Sequence, residues 1–363
     1  MRKQRKNNRK SKHMIERRQV LKLAAAVFLV VIAVTLSFSR CQRSNKSDIS
    51  DEVRGVWISY VDFSKLGLNN RTEAEFRENA EAFYDKAEEL HINTVYFHVR
   101  VFRDAVYISD KFPISKTIWS RSGEMPYDPL EIMTEMAHEH DMELHAWLNP
   151  YRNTSFDEEI LDPAKESTTE EILVCVNEII EKYNVDGIHF DDYFYTEESS
   201  LTNSEKMVNV NRMVRAVYET VHKADDDLVF GISPAGNVSY SESLGADVKT
   251  WLSEDGYVDY IMPQIYWTDE HTATWRDKMF SDTMAEWMSL NRNGVPIYAG
   301  LALYRAGTDV KEDPGWKNSG GNIAFQVTQL RETGFDGYAF FSASDFFREG
   351  AENELKNYQN LVF

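Results

Sequence analysis

A closed (β/α)8 barrel is the fold this sequence predicts, and three observations lead there. Short apolar runs recur along the chain, segments with helical periodicity and capping residues separate them, and polar and aromatic residues concentrate where the runs end. The runs are GVWISY (55–60), TVYFHVRV (94–101), ELHAWLN (143–149), GIHFD (187–191), VFGISP (229–234), DYIMPQIYW (259–267), PIYAGLALY (296–304) and GYAFFS (337–342). Their length and their β-branched and aromatic content read as strands rather than helices. Repeated strand–helix units joined by right-handed crossovers close naturally into a barrel. An open doubly wound sheet is the rival, but it would want a Gly-rich phosphate loop after the first strand, and none follows GVWISY.

The chain begins with a basic segment, residues 1–22, that carries Arg2, Lys3, Arg5, Lys6, Arg9, Lys10, Lys12, Arg17, Arg18 and Lys22. LAAAVFLVVIAVTLSF (23–38) follows, and then a polar stalk, SRCQRSNKSDISDE (39–52). The apolar run is a little short of the ~20 residues of a full span, although Val20 and Leu21 lengthen it if Lys22 snorkels. Read as a single membrane anchor, its basic flank stays in the cytoplasm and residues 53–363 lie outside the cell membrane. A cleaved signal peptide is the alternative, with small Ser37 and Ser39 flanking Phe38. A lipoprotein reading at Cys41 is opposed by Arg40 directly before it.

Of 40 basic and 59 acidic residues, thirteen and one fall within residues 1–46, so the remainder carries 27 against 58. A domain this acidic repels polyanions, which excludes nucleic acid as a partner. The two cysteines, Cys41 in the stalk and Cys175 in the apolar helical stretch EEILVCVNEII, provide neither a disulfide framework nor a metal site.

From residue 53 to 363 no low-complexity tract or Pro/Gly linker divides the chain, so one barrel is expected. Thr72 is placed to cap EAEFRENAEAFYDKAEEL, and Asp128-Pro129 sets a cap and an N1 proline before LEIMTEMAHEH. Thr169, Asn203, Thr272 and Asn322 stand near the starts of later helices, and Asp345 before a last one over about 346–360.

Barrel active sites lie at the C-terminal ends of the strands, so the closing residues of each run are the candidates. These are Trp57 and Tyr60 from the first, His98 and Arg100 from the second, and Trp147, Asn149 and Arg152 from the third. The fourth contributes His189, Asp191, Asp192 and Tyr193, the fifth Ser233 and Asn237, and the sixth Gln264, Tyr266 and Trp267. Strand alternation puts Ile188 and Phe190 on one face and His189 and Asp191 on the other, which should aim Asp191 into the barrel. Asp192, at the strand end, reaches the same pocket from the rim. Two carboxyls this close resist joint ionisation, and a raised pKa beside an ionised partner is the combination glycoside cleavage uses.

Trp57, Trp147, Tyr193, Tyr195, Tyr266 and Trp267 can stack on pyranose rings while Asn149, Asn237 and Gln264 meet hydroxyl or acetamido groups. Arg100, sharing a face with His98 by alternation, and Arg103, Arg152 and Arg305 can recognise a substrate carboxylate. No cofactor and no metal are expected, since His138 and His140 do not share a helix face and His98, His145 and His189 come from different strands.

Taken together, RGVWISY, NTVYFHVR, LHAWLNPYR, VDGIHFDDYFY, FGISPAGN, DYIMPQIYW and FDGYAFFSASD resemble the bacterial glycosyl-hydrolase-like family ten, along essentially all of residues 51–350. The resemblance implies an extracytoplasmic (β/α)8 barrel related to glycosidases of N-acetylated aminosugar polymers, some of them in peptidoglycan turnover, with Asp191 and Asp192 at its centre. More distantly, the fourth strand resembles the Asp-Gly-x-x-x-Asp strand of amylase-like enzymes, whose last Asp is the nucleophile. The amylase-type fifth-strand Glu is absent from VFGISPAGN, and where chitinase-type enzymes carry a Glu two beyond Asp191 this chain has Tyr193. Asp192 is therefore the leading second acid, ahead of Asp62, Asp104, Asp269 and Asp345. A carbohydrate-binding barrel without catalysis and a metal-dependent deacetylase using the strand histidines are the alternative functions.

Overall fold

A computed structural model of the chain describes residues 51–153, 160–192, 194–318 and 320–362. The basic segment, the apolar run and most of the stalk lie outside the described residues, among which no helix is long and apolar enough to cross a membrane.

Eight strands form where the apolar runs predict them: β1 (Val53–Ile58), β2 (Thr94–Arg100), β3 (Glu143–Leu148), β4 (Gly187–Asp191), β5 (Val229–Ser233), β6 (Tyr260–Ile261), β7 (Tyr298–Leu301) and β8 (Gly337–Phe340). Their order is β6-β5-β4-β3-β2-β1-β8-β7, each pair parallel. The outermost strands also meet: Ile261 N donates to Pro296 O (3.0 Å), Gly300 N to Pro263 O (2.9 Å) and Ile265 N to Gly300 O (3.0 Å), closing the ring. β6 is far shorter than its apolar run. Pro263 has no N–H to give the ladder, so pairing there breaks down into single bridges.

The helices follow their caps with three exceptions. Thr72 and Glu75 form a reciprocal capping box at Glu73–Glu89, and Asp128 caps Pro129–Glu139 through Leu130 N and Glu131 N. Asn322–Thr333 also starts where expected. Asn203–Ala224 likewise starts where expected, with Thr202 and Glu205 as its capping box, whereas Glu166–Lys182 begins before Thr169 with no side-chain cap. Thr272 caps nothing: its N–H donates to Glu312 O, and the next helix starts at Met279. Asp345 lies inside the 3-10 turn Ala343–Phe347, bonded to Arg348 (2.5 Å), and the last helix is Glu352–Val362.

Two cores result from the period of two along each strand. Outward residues such as Ile188, Phe190, Val95, Phe97 and Ile232 join the helices in the larger core, while Trp57, Tyr96, Trp147, Tyr260, Met262 and Ala339 fill the barrel. So many inward rings need glycine opposite them. A Cβ at Gly55 would stand 2.7 Å from the Tyr96 ring, and one at Gly231 would overlap the ring of Tyr260.

Candidate active site

At the C-terminal end of the barrel a cavity of about 350 Å³ is lined by Trp57, Ser59, Tyr60, Val61, His98, Trp147, Asn149, Arg152, Asp191, Ser233, Gln264, Tyr266, Tyr304 and Phe341. A second cavity, of about 520 Å³, is lined by Ile160, Asp192, Phe194, Tyr195, Thr196, Glu197, Glu198, Tyr240 and Leu244, and shares Arg152 and Gln264 with the first. Asp191 opens on the first cavity and Asp192 on the second. The pair therefore stands on the boundary between the two spaces.

Asp191 is 7% exposed. Its Oδ1 accepts from Gln264 Nε2 (3.1 Å) and from the backbone N–H of Asp192 (2.9 Å), and Gln264 also donates to Ser233 O (3.0 Å). Burial raises the Asp191 pKa, opposed by its hydrogen bonds and by Arg152. Asp192 is raised well above the usual carboxylate range, first by burial and then by the charge of Asp191, with a mutual side-chain hydrogen bond that holds the proton on Asp192. One carboxyl ionises while its neighbour keeps its proton, and the two titrate as a unit.

The other candidate acids have structural partners. Asp62 is fully buried and ties the end of β1 to that of β8, accepting from Ser59 N (2.8 Å) and Ser342 Oγ (2.7 Å). Asp104 accepts from Phe102 N (3.0 Å), Asp269 from Ser281 N and Oγ (2.8 and 2.6 Å), and Asp345 is paired with Arg348. Among the described residues, Asp191 is the one carboxyl lining the first cavity.

Nine of the candidate binding residues from the strand ends line that cavity, and four others lie elsewhere for identifiable reasons. Arg100 is turned out of the barrel: the β2–β3 register shifts between His98 and Arg100, so alternation fails across that step. Its guanidinium is buried beneath the helices, bonded to Glu171 (2.9 Å) and over the Phe112 ring. His189 points inward as expected but sits a layer too deep to reach the cavity. Asn237 caps the short helix Val238–Ser243, accepting from Tyr240 N (2.9 Å), since an Asn at a helix start competes for that role. Trp267 follows inward-facing Tyr266 and must face away; it meets Trp275 edge-on at 6.1 Å. Tyr193 lies outside the described residues.

Below the cavity, the buried polar side chains form an ordered chain. Trp57 Nε1–H donates to His189 Nε2 (3.1 Å), His189 Nδ1 meets Tyr260 Oη (2.9 Å), and Tyr260 Oη meets His145 Nδ1 (3.0 Å), with His145 Nε2 near Glu143 (3.4 Å). An indole only donates, so His189 must accept at Nε2 and donate from Nδ1, and Tyr260 then donates to His145. Burial holds the His189 pKa well below its usual value, keeping the ring neutral. Two of the three strand histidines thus have their nitrogens committed, which argues against a three-histidine metal site at His98, His145 and His189. Sequence reasoning did not select Ser59, Val61 and Phe341 for the cavity. Phe341 was accessible to it, because alternation from buried, inward Ala339 aims Phe341 inward too.

Residues 52–159 and 203–318 match the model of a family described as glycosyl hydrolase-like 10. The chain is 30% identical, over 349 aligned positions, to the glycosyl hydrolase DigH of Escherichia coli (strain K12), covering 75% of this chain and 78% of that protein. It is 25% identical over 367 positions to the glycosyl hydrolase YngK of Bacillus subtilis (strain 168), covering 83% and 69%. Among solved structures, the glycoside hydrolase domain of PgaB (BpsB) from Bordetella bronchiseptica superposes with a TM-score of 0.60 at 12% identity, covering 86% of this chain and 98% of that one. A Group IV chitinase from Ostrinia furnacalis gives 0.57 at 11% identity, over 86% and 99%. At those identities the likeness concerns the fold.

Proposed function

The chain belongs to the glycosyl hydrolase-like 10 family, and from that premise we propose that it hydrolyses a glycan of N-acetylated amino sugars, cell-wall peptidoglycan foremost. The observation that carries this reading is the division of an adjacent, proton-sharing carboxyl pair between two joined cavities. A glycosidic bond lying over the shared edge at Arg152 and Gln264 would put one sugar on Asp191 and its leaving group beside Asp192. Protonated Asp192 would then donate to the leaving oxygen, and ionised Asp191 would stabilise positive charge developing at the anomeric carbon. Aromatic rings on the first cavity, Trp57, Tyr60, Trp147, Tyr266 and Tyr304, supply flat faces for a pyranose.

Incubating the full chain in detergent with purified cell-wall glycan should release new reducing ends, read chemically and by product mass. No release from any N-acetylated glycan would leave the carbohydrate-binding alternative in its place. That alternative is favoured by one observation, the missing fifth-strand Glu of amylase-like enzymes.

The basic residues 1–22 and apolar residues 23–38 support a single uncleaved anchor with the barrel outside the membrane. Protease added to intact cells should then digest the barrel and spare the N-terminal end; a barrel protected until lysis would refute that placement.

A further inference from the structure

We infer that the wall of the first cavity made by Trp147 and Asn149, backed by His98, reads the acylamino substituent of the bound sugar, so that this cavity selects an N-acetylated hexosamine over its free amine. The inference rests on the glycosidase reading for its substrate class and goes beyond it in naming the groups that discriminate.

These three cavity-lining side chains are 3%, 1% and 1% exposed, respectively. Yet Trp147 Nε1, Asn149 Oδ1 and both ring nitrogens of His98 have no well-formed hydrogen bond. Buried polar atoms nearly always find partners, so several left without one around a single cavity call for a bound ligand or ordered water to supply them. The polarity of the set is fixed. Asn149 Nδ2 donates to Val101 O (3.0 Å), which orients the amide and makes the remaining atom the carbonyl acceptor. The indole N–H of Trp147 only donates.

The two side chains therefore offer one unpaired donor and one unpaired acceptor, two residues apart at the end of β3, roughly 6–7 Å along the chain. A secondary amide carries its C=O and N–H on opposite edges and can take both at once, whereas a lone hydroxyl or amine cannot span them. Trp147 and His98 stack with centroids 3.8 Å apart and planes at 15°, giving a flat, rigid surface against which an acyl methyl can lie. Burial together with nearby Arg152 holds the His98 pKa well below its usual value, so this wall is uncharged. An ammonium facing it would meet an N–H donor and no counter-charge on the wall itself. Of the Asp191 carboxylate, which lines the same cavity, Oδ1 is engaged by Gln264 Nε2 and the Asp192 N–H.

The test compares an N-acetylglucosamine oligosaccharide with the fully de-N-acetylated oligosaccharide of equal length, using the full chain in detergent. Hydrolysis and titration calorimetry are measured in parallel for the wild type and for Trp147→Phe, which keeps an aromatic ring and removes the N–H. Wild type should favour the acetylated oligomer at least tenfold in kcat/KM and in affinity, and Trp147→Phe should lower that ratio at least tenfold. Equal treatment of both oligomers by wild type, or an unchanged ratio in Trp147→Phe, would overturn the inference even if both are cleaved. If wild type cleaves neither, the glycosidase reading fails, and the affinity ratio alone decides this one.

Discussion

Asp191→Asn should lower the rate of glycan cleavage by about 10³-fold, the scale on which removing a preorganised charge at a reacting centre acts, while leaving the fold intact. The expectation follows from position: among the described residues Asp191 is the one carboxyl on the first cavity. An Asn oxygen can still accept from Gln264 and from the Asp192 N–H, so the local hydrogen bonds survive. What disappears is the negative charge that would meet an oxocarbenium-like transition state. Stability should hold or rise, because a buried charge beside another carboxyl is unfavourable in the free protein. Reducing-end release and thermal unfolding on the same preparations test both halves. Wild-type turnover in the variant would remove Asp191 from the chemistry, and a collapsed melting transition would mean that the lost rate reports folding.

Asp192→Asn should show a different pattern, in which the loss depends on the leaving group. A general acid contributes typically 10²–10⁴-fold when the departing alcohol needs protonation and little when it does not. The variant should therefore lose about that factor on a natural glycan and retain most activity on an aryl glycoside with an activated leaving group. In the wild type, activity on the natural glycan should fall as pH rises through the elevated pKa of Asp192. That alkaline limb should vanish in the variant assayed on the aryl glycoside.

Stability carries the same signature. Both carboxyls have folded-state pKa values above the unfolded value, so the folded state holds more protons, and stability falls as pH rises from about 4, the unfolded Asp value, through those elevated values. Removing either carboxyl should flatten that slope in denaturant titrations across pH. Equal losses on both substrates, with the wild-type pH slope of stability retained, would show that Asp192 is not the acid.

The candidate site was legible in the sequence where local rules govern and obscure where distant contacts intervene. The alternation in GIHFD correctly sends Asp191 and His189 into the barrel and Ile188 and Phe190 beneath the helices. It does not say how deep each inward residue lies, which is why His189 reads as a cavity residue when it hydrogen-bonds Trp57 and Tyr260 below it. Arg100 fails for a different reason, since a register shift between paired strands reverses the expected face and no signal in TVYFHVR marks it. Asn237 could have been read from the sequence, because an Asn ahead of a short helical stretch is a good cap as well as a good sugar contact.

By itself the sequence determined the barrel, the order of its strands along the chain, most helix starts and the inward aim of Asp191. Each follows from periodicity, capping chemistry or chain connectivity, which act over a few residues. Only the tertiary structure decided that Asp191 and Asp192 face separate cavities joined at Arg152 and Gln264, and that Trp147 and Asn149 keep unpaired polar atoms on the wall of the first. Those outcomes depend on layer depth, on register and on partners drawn from strands far apart in the chain. A pattern with a period of two carries no information about any of them.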